Sequence, residues 1–229
     1  MKIEVNPQET SRAEAFEMWM TSPMPMVTLT KTFDVTRLYR MSKKLGIKFN
    51  TLLCWCIGKA STQIDEFYYL PDKGKFYKYD RLAINVIVNN AKGGINSCDV
   101  PFTPDLKAFA HSYNTLASQA SQECKSSFLE DHIIVGTSAM VQTELDAIVN
   151  QYTDKFNNPL VMWGKYRKLG LLGRALLGRA FHSNTFLCKV FRSKVILPIS
   201  LQFHHTQMDG GHAAGFLELL QREINAVGK

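Results

Sequence analysis

The sequence predicts a single layered domain of mixed strands and helices, α/β or α+β in class, and three observations carry that prediction. At 229 residues, 45% hydrophobic and 21% charged, the chain has the balance of an ordinary globule with length enough for a proper core. Strand-like and helix-like segments alternate along it without internal repeats. Near the end, the apolar run LPISLQF breaks at a His-His pair, turns at Asp209-Gly210-Gly211 and continues as an amphipathic segment.

Each element follows from its local pattern. After a short N-terminal segment, residues 26–35 alternate like a strand, and residues 36–45 form a short helix that Gly46 ends. Residues 49–63 make a long apolar helix, in which Cys54 and Cys56 are small core residues. A strand over 82–88 precedes a helix over 105–125 with Leu106, Phe109, Tyr113 and Leu116 on one face. Strands are expected over 132–139 and 194–205. The closing helix, 212–227, is expected to turn Ala214, Leu217, Leu220 and Ile224 inward. Strand order is not fixed by these patterns.

The stretch His204-His205-x-x-x-Asp209-Gly210 carries the chemistry. An imidazole at the end of a strand, backed by a rigid sheet, is placed to act as a general base near neutral pH. Two other readings compete. His204, His205, Asp209 and His212 are all possible metal ligands, but neighbouring strand residues point to opposite faces, so the adjacent pair does not easily share one ion. A purely structural histidine is the default on an apolar strand; the Asp four residues on, the Gly-Gly turn and the flanking elements weigh against it. His205 is taken as the base, with Asp209 organising the turn, and no metal is expected.

This arrangement resembles the signature of the chloramphenicol acetyltransferase family, and through it the wider CoA-dependent acyltransferases. The resemblance runs close to full length through SRAEAFEMW, MVTLTKTFDVTRLY, KFNTLLCWCIGKASTQIDEF, VPFTPDLKAF, GTSAMVQTELDAI and YTDKFNNPLVMWGKY, in the family's order. It implies a two-layer α+β sandwich, a mixed sheet covered by helices. It implies a homotrimer with active sites at subunit interfaces, one chain giving the histidine and its neighbour the serine and most of the acceptor pocket. His205 matches the general base. Asp209 matches a carboxylate paired with an arginine that falls on Arg12, and Ser138 matches the oxyanion-stabilising hydroxyl, a role that contributes about 3 kcal/mol. Lys48, in KFN, matches a lysine near the 3′-phosphate of CoA; Lys165 and Tyr166, in GKY, match a pair along the adenine and pantetheine groove. Read alone, Arg12, Ser138 and these lysines are ordinary surface or strand-end residues.

Departures concern the acceptor. The family's aromatic pocket pair falls on Met18 and Trp19, later pocket positions become Pro25 and Val27, and a hydroxyl near the reacting centre is replaced by Met162. The pocket stays apolar and changes shape. The implied activity is O-acetyl transfer from acetyl-CoA, the co-substrate, to chloramphenicol or a related small acceptor, the chemistry of antibiotic resistance. Two rivals stand beside it: a dihydrolipoyl-type S-acyltransferase, for which the chain shows no lipoyl domain or Ala-Pro linker, and a non-catalytic ligand-binding descendant.

The charge pattern fits a phosphate-bearing ligand. The net charge is +7, and between Lys155 and Gln207 there is no Asp or Glu. The block attracts polyanions, but no nucleic-acid-binding module accompanies it. Residues 169–192 read as a basic, leucine-rich insertion into the single 1–229 domain, a cap or oligomer contact rather than a membrane anchor. Nothing approaches the roughly 18–20 apolar residues of a membrane span. The opening MKIEVNPQETSRAEAF lacks the apolar core of a signal peptide. Five scattered cysteines, an odd number, point to free thiols in a reducing cytoplasm.

Overall fold

A computed structural model describes residues 1–153, 155–169 and 194–229. The expected insertion over 169–192 therefore lies almost wholly outside the described residues, as does Cys188. Strand β1 (Lys2–Glu4), helix α1 (Ala13–Trp19), β2 (Met26–Asp34), α2 (Thr36–Leu45) and α3 (Phe49–Ser61) come first. Strands β3 (Tyr69–Asp72), β4 (Lys75–Tyr79), β5 (Leu82–Asn89) and β6 (Ile95–Pro101) lead to α4 (Leu106–Glu123). Then follow β7 (Ile133–Met140), β8 (Leu160–Gly164), β9 (Arg167–Leu169), β10 (Lys194–His204) and α5 (Gly210–Ala226).

The main sheet runs β2-β10-β8-β7-β5-β6, with β9 pairing the start of β10. It is mixed: β7 pairs β5 and β8 in parallel, and the remaining pairs are antiparallel. A second, three-stranded sheet runs β1-β4-β3. Helices cover one face of the main sheet, the mixed-sheet sandwich that the sequence predicts.

Capping chemistry fixes the helix ends. Gly46 stops α2 at φ +66°, a left-handed conformation open to glycine without strain. The Asp105 carboxylate accepts from the Ala108 amide at 2.8 Å and starts α4. Two expectations shift. Strand β10 ends at His204, leaving His205 in the turn. Helix α5 starts at Gly210, capped by Asp209 two residues before the expected start, and its buried stripe is Ala213, Phe216, Leu217, Leu220 and Ile224, with Ala214 exposed.

Strand β10 organises the sheet because both its faces are covered. Val195, Leu197, Ile199, Leu201 and Phe203 alternate into the core beneath α3 and α5. Ser200, Gln202 and His204 lie on the other face, and the 143–152 segment satisfies the first two: Ile148 N–H donates to Ser200 Oγ at 2.9 Å, and Gln202 Nε2 donates to the Asn150 carbonyl at 2.7 Å. Pro198, which has no N–H to donate, falls between the residues that pair β9 and those that pair β8.

The 143–152 segment can lie this close because β8 ends in glycine. A methyl group at Gly164 would stand 2.8 Å from the Thr143 carbonyl oxygen and 3.0 Å from the Leu145 nitrogen. The Lys165 amide also donates to Thr143 O at 2.7 Å. Gly164→Ala is expected to lift this segment and to cost about 1–3 kcal/mol, measured as a lower urea midpoint with faster proteolysis within 143–152. An unchanged midpoint and digest would show that the contact is slack.

Candidate active site

Three contacts fix His205, and a fourth holds the residue after it. Its amide donates to the Pro25 carbonyl at 2.8 Å. Its own carbonyl accepts from Arg12 Nη2 at 2.8 Å. Its ring stacks on Trp19, with centroids 4.4 Å apart and planes within 2°. The next carbonyl, Thr206, accepts from Arg12 Nε at 3.1 Å, which holds the turn from the same side. His205 Nδ1 is buried and has no hydrogen-bond partner among the described residues, leaving Nε2 as the nitrogen that can meet a substrate.

Arg12 is 5% exposed, so the helix charge that reads as surface in isolation is a buried one. It stands at the N-cap position of α1 rather than inside that helix. Its Nη1 lies 3.2 Å from Asp209 Oδ2, so one guanidinium reaches two carbonyls and a carboxylate. The other Asp209 oxygen accepts from the Gly211 and His212 amides at 2.9 and 3.2 Å. Burial pushes the Asp209 carboxyl up, but the His212 and Gly211 amides, the His212 ring and Arg12 together hold it below the ordinary range. These bonds make Asp209 the N-cap of α5 and tie that cap to Arg12.

His204 has a different environment. It is 1% exposed, lies edge-on to Tyr152 with ring centroids 6.5 Å apart, and its Nδ1 accepts from the Thr206 amide at 3.2 Å. The two imidazoles thus have different neighbours, Tyr152 for His204 and Trp19 for His205.

Ser138 is not brought to His205 within one chain. It sits opposite Met162 on β8, and Met162 sits opposite Ser200 on β10, which makes one cross-sheet row. His205 is five positions past Ser200, roughly 17 Å along the strand and about 10 Å across two strand spacings from Ser138. The residues matched to the acceptor pocket are dispersed as well. Trp19 is on His205 and Met18 is exposed at the end of α1. Val27 packs towards the helix-side core, whereas Met162, 2% exposed, lies on the opposite sheet face with Ser138 and Ser200.

The residues matched to the CoA groove do cluster. The Tyr166 ring meets Phe49, which follows Lys48, and also Tyr39, each with centroids 5.2 Å apart. Lys48 and Lys165 are exposed beside them. Tyr39 and Lys168 belong to the same group although the resemblance gives neither a role: Lys168 Nζ lies 4.9 Å from the Tyr39 ring centroid, and its hydrogen bond and charge hold the Tyr39 phenol below its usual range. Arg167 is not free for an anion, because it pairs with Glu144 and Asp146 at 3.3 and 2.7 Å. Cys54 is buried and its thiol is pushed up to about 12, which makes it an inert core residue.

Burial and the neighbouring His205 push the His204 imidazole down to about 4 from its ordinary 6.5. Between those values the unfolded chain binds a proton that the folded chain does not, so stability falls as pH drops from about 6.5 towards 4, by up to about 3 kcal/mol. Urea midpoints from pH 7.5 to 4 are expected to fall more steeply for the wild type than for His204→Gln. Parallel curves would show that His204 titrates as an exposed histidine.

The family model described as chloramphenicol acetyltransferase matches residues 2–191, a span that stops before the His motif. Chloramphenicol acetyltransferase 2 of Escherichia coli is 22% identical over 216 residues, covering 92% of this chain and 91% of that protein. Chloramphenicol acetyltransferase of Bacillus pumilus is 24% identical over 216 residues, covering 92% and 88%. A solved chloramphenicol acetyltransferase superposes with a TM-score of 0.72 at 17% identity over 98% of each chain. A truncated catalytic core of the 2-oxoacid dehydrogenase complex from Thermoplasma acidophilum gives 0.64 at 14% identity over 99% of each. These likenesses between structures show a shared fold, whereas the family match spans most of the chain: the protein belongs to the chloramphenicol acetyltransferase family and is an acetyltransferase.

Proposed function

We propose that the chain moves the acetyl group of acetyl-CoA directly to a hydroxyl of a small apolar acceptor, chloramphenicol or a related alcohol, without an acyl-enzyme. The observation that carries this reading is the immobilised His205, held at its amide, its carbonyl and its ring face. Nε2 of His205 takes the proton from the acceptor hydroxyl as the oxygen attacks the thioester carbonyl. The tetrahedral oxyanion is stabilised by the Ser138 hydroxyl. Collapse breaks the carbon–sulfur bond, and the imidazolium returns the proton to the departing thiolate, which restores the base. Asp209 and Arg12 hold the turn and take no part in proton transfer.

The nucleotide end of acetyl-CoA is assigned to the Phe49, Tyr39 and Tyr166 rings, with Lys48, Lys165 and Lys168 as the phosphate rim. The acceptor is assigned to a pocket bearing Met18, Trp19, Val27 and Met162. Within one chain Trp19 lies on His205, but Met162 and Ser138 share a row five residues back along the sheet, which supports a site completed by a second copy, as in the expected homotrimer. Among the described residues no helix is long and apolar enough to cross a membrane.

Thiol release from acetyl-CoA with chloramphenicol and a panel of small alcohols and amines tests the reading. His205→Ala is expected to lower turnover by about 10²–10⁴-fold and Ser138→Ala by about 10²-fold. Turnover that survives His205→Ala would overturn the base assignment, and the absence of both turnover and acetyl-CoA binding would move the ligand-binding reading forward. Refolding the two inactive variants together is expected to restore part of the activity, because some sites then pair an intact His205 with an intact Ser138. No recovery from well-folded mixed oligomers would place both groups in one chain's site.

A further inference from the structure

The Asp209 cap has an outer support that the His motif does not reveal. Glu66 lies in the short 3-10 turn Asp65–Tyr68, directly after α3, and its side chain is only 14% exposed. Its Oε1 stands 3.1 Å from His212 Nε2, and among the described residues this is the only contact of the carboxylate with a polar side chain. On its other side, His212 Nδ1 accepts from the Asp209 amide at 3.3 Å, while Asp209 Oδ1 accepts from the His212 amide at 3.2 Å. This is a reciprocal capping box with histidine where glutamate or glutamine is usual.

The substitution matters because an imidazole has two nitrogens. Nδ1 stands 3.3 Å from the Asp209 amide nitrogen and 3.0 Å from Asp209 Oδ1, and Nε2 stands 3.1 Å from Glu66 Oε1; with Nδ1 accepting the amide, the ring carries its proton on Nε2, the nitrogen beside Glu66. A carboxylate there selects the tautomer that completes the box. From Asp209 the chain of contacts continues through Oδ2 to Arg12, and from Arg12 Nη2 to the His205 carbonyl. Gly211 leaves room for it, since a methyl group there would stand 3.2 Å from Asp209 Oδ1.

We propose that Glu66, acting through His212, is a positioning residue for the acetyltransferase site: it fixes the His212 tautomer and thereby the Asp209–Arg12 clamp that sets His205. The inference rests on the acyl-transfer reading for its catalytic consequence, and on the contacts alone for its structural one. Glu66 and His212 touch no reacting atom in this scheme.

Two comparisons in the full-length protein test it, with Glu66→Leu and Glu66→Gln as the variants. Glutamine keeps an oxygen for His212 Nε2–H; leucine removes it and leaves the neighbouring packing. In thiol release from acetyl-CoA with chloramphenicol, Glu66→Leu is expected to lower kcat about tenfold with KM for acetyl-CoA within about twofold, and Glu66→Gln to recover most of kcat. In amide hydrogen exchange, Asp209 and His212 are expected to exchange faster in Glu66→Leu and at the wild-type rate in Glu66→Gln. Equal exchange in all three proteins overturns the proposal, as does an equal fall of kcat in both variants. If the wild type turns over nothing in a His205-dependent way, the acyl-transfer reading fails separately and exchange still decides the positioning. Should Glu66→Leu not fold, Glu66→Ala takes its place: the Asp209 and His212 amides are expected to exchange faster than in the wild type, and exchange at the wild-type rate again overturns the proposal.

Discussion

One guanidinium holds the site together. Arg12 is almost fully buried, and a charge taken out of water at that depth is costly unless each donor finds an acceptor. It finds the carbonyls of His205 and Thr206 and the carboxylate of Asp209, all more than 190 positions away in sequence. The chain's first helix, the end of its central strand and the start of its last helix therefore meet at one side chain. Removing the guanidinium would leave two carbonyls and a carboxylate without their partner, so the clamp acts as a unit and its parts do not contribute independently.

The same economy of polar groups explains the two faces of β10. The helix-side face is apolar throughout and makes the core. The other face carries Ser200, Gln202 and His204, and each is paired: by an amide, by a carbonyl and by the turn that follows. A strand covered on both sides is rigid, and its end is a fixed point from which the turn can present an imidazole. The small sheet contributes to this, since Gln207 Nε2 donates to the Tyr69 carbonyl at 2.6 Å and Phe16 packs edge-on against Phe76.

Local pattern made most of the helices legible and the polar strands illegible. Helix α2 and its Gly46 stop follow from one glycine at the right place, and α4 from its Asp105 cap. Strand β6 escapes because it reads INSCDVP; only its partners reveal why a carboxylate can stand there, with Asp99 accepting from Asn85 Nδ2 at 2.7 Å and from the Leu129 amide at 2.8 Å. Strands β3 and β4 escape because aromatic and lysine residues alternate around a turn without an apolar run. At the site, the family motif singled out His205, Asp209 and Arg12. It could not single out Tyr39, Lys168 or Glu66, whose relevance comes from what the fold brings beside them. Nor could it show that Val27 and Met162 lie on opposite faces of the sheet, because spacing along one strand does not say how far away the next one is.

The separation between holding the base and shaping the pocket bears on how specificity can drift. Pro25, Arg12 and Asp209 hold His205 through backbone atoms or through a charge pair, and such contacts do not depend on the acceptor. Trp19 is different, because it is both the face on which His205 stacks and a residue assigned to the acceptor pocket. Under the proposed reading, changes at Met18, Val27 or Met162 alter the fit of an acceptor and leave the base in place. A change at Trp19 alters both, since the ring that a new acceptor would have to accommodate is also the one that keeps the imidazole plane from turning. Acceptor preference can therefore shift across several positions, while Trp19 ties the pocket to the chemistry.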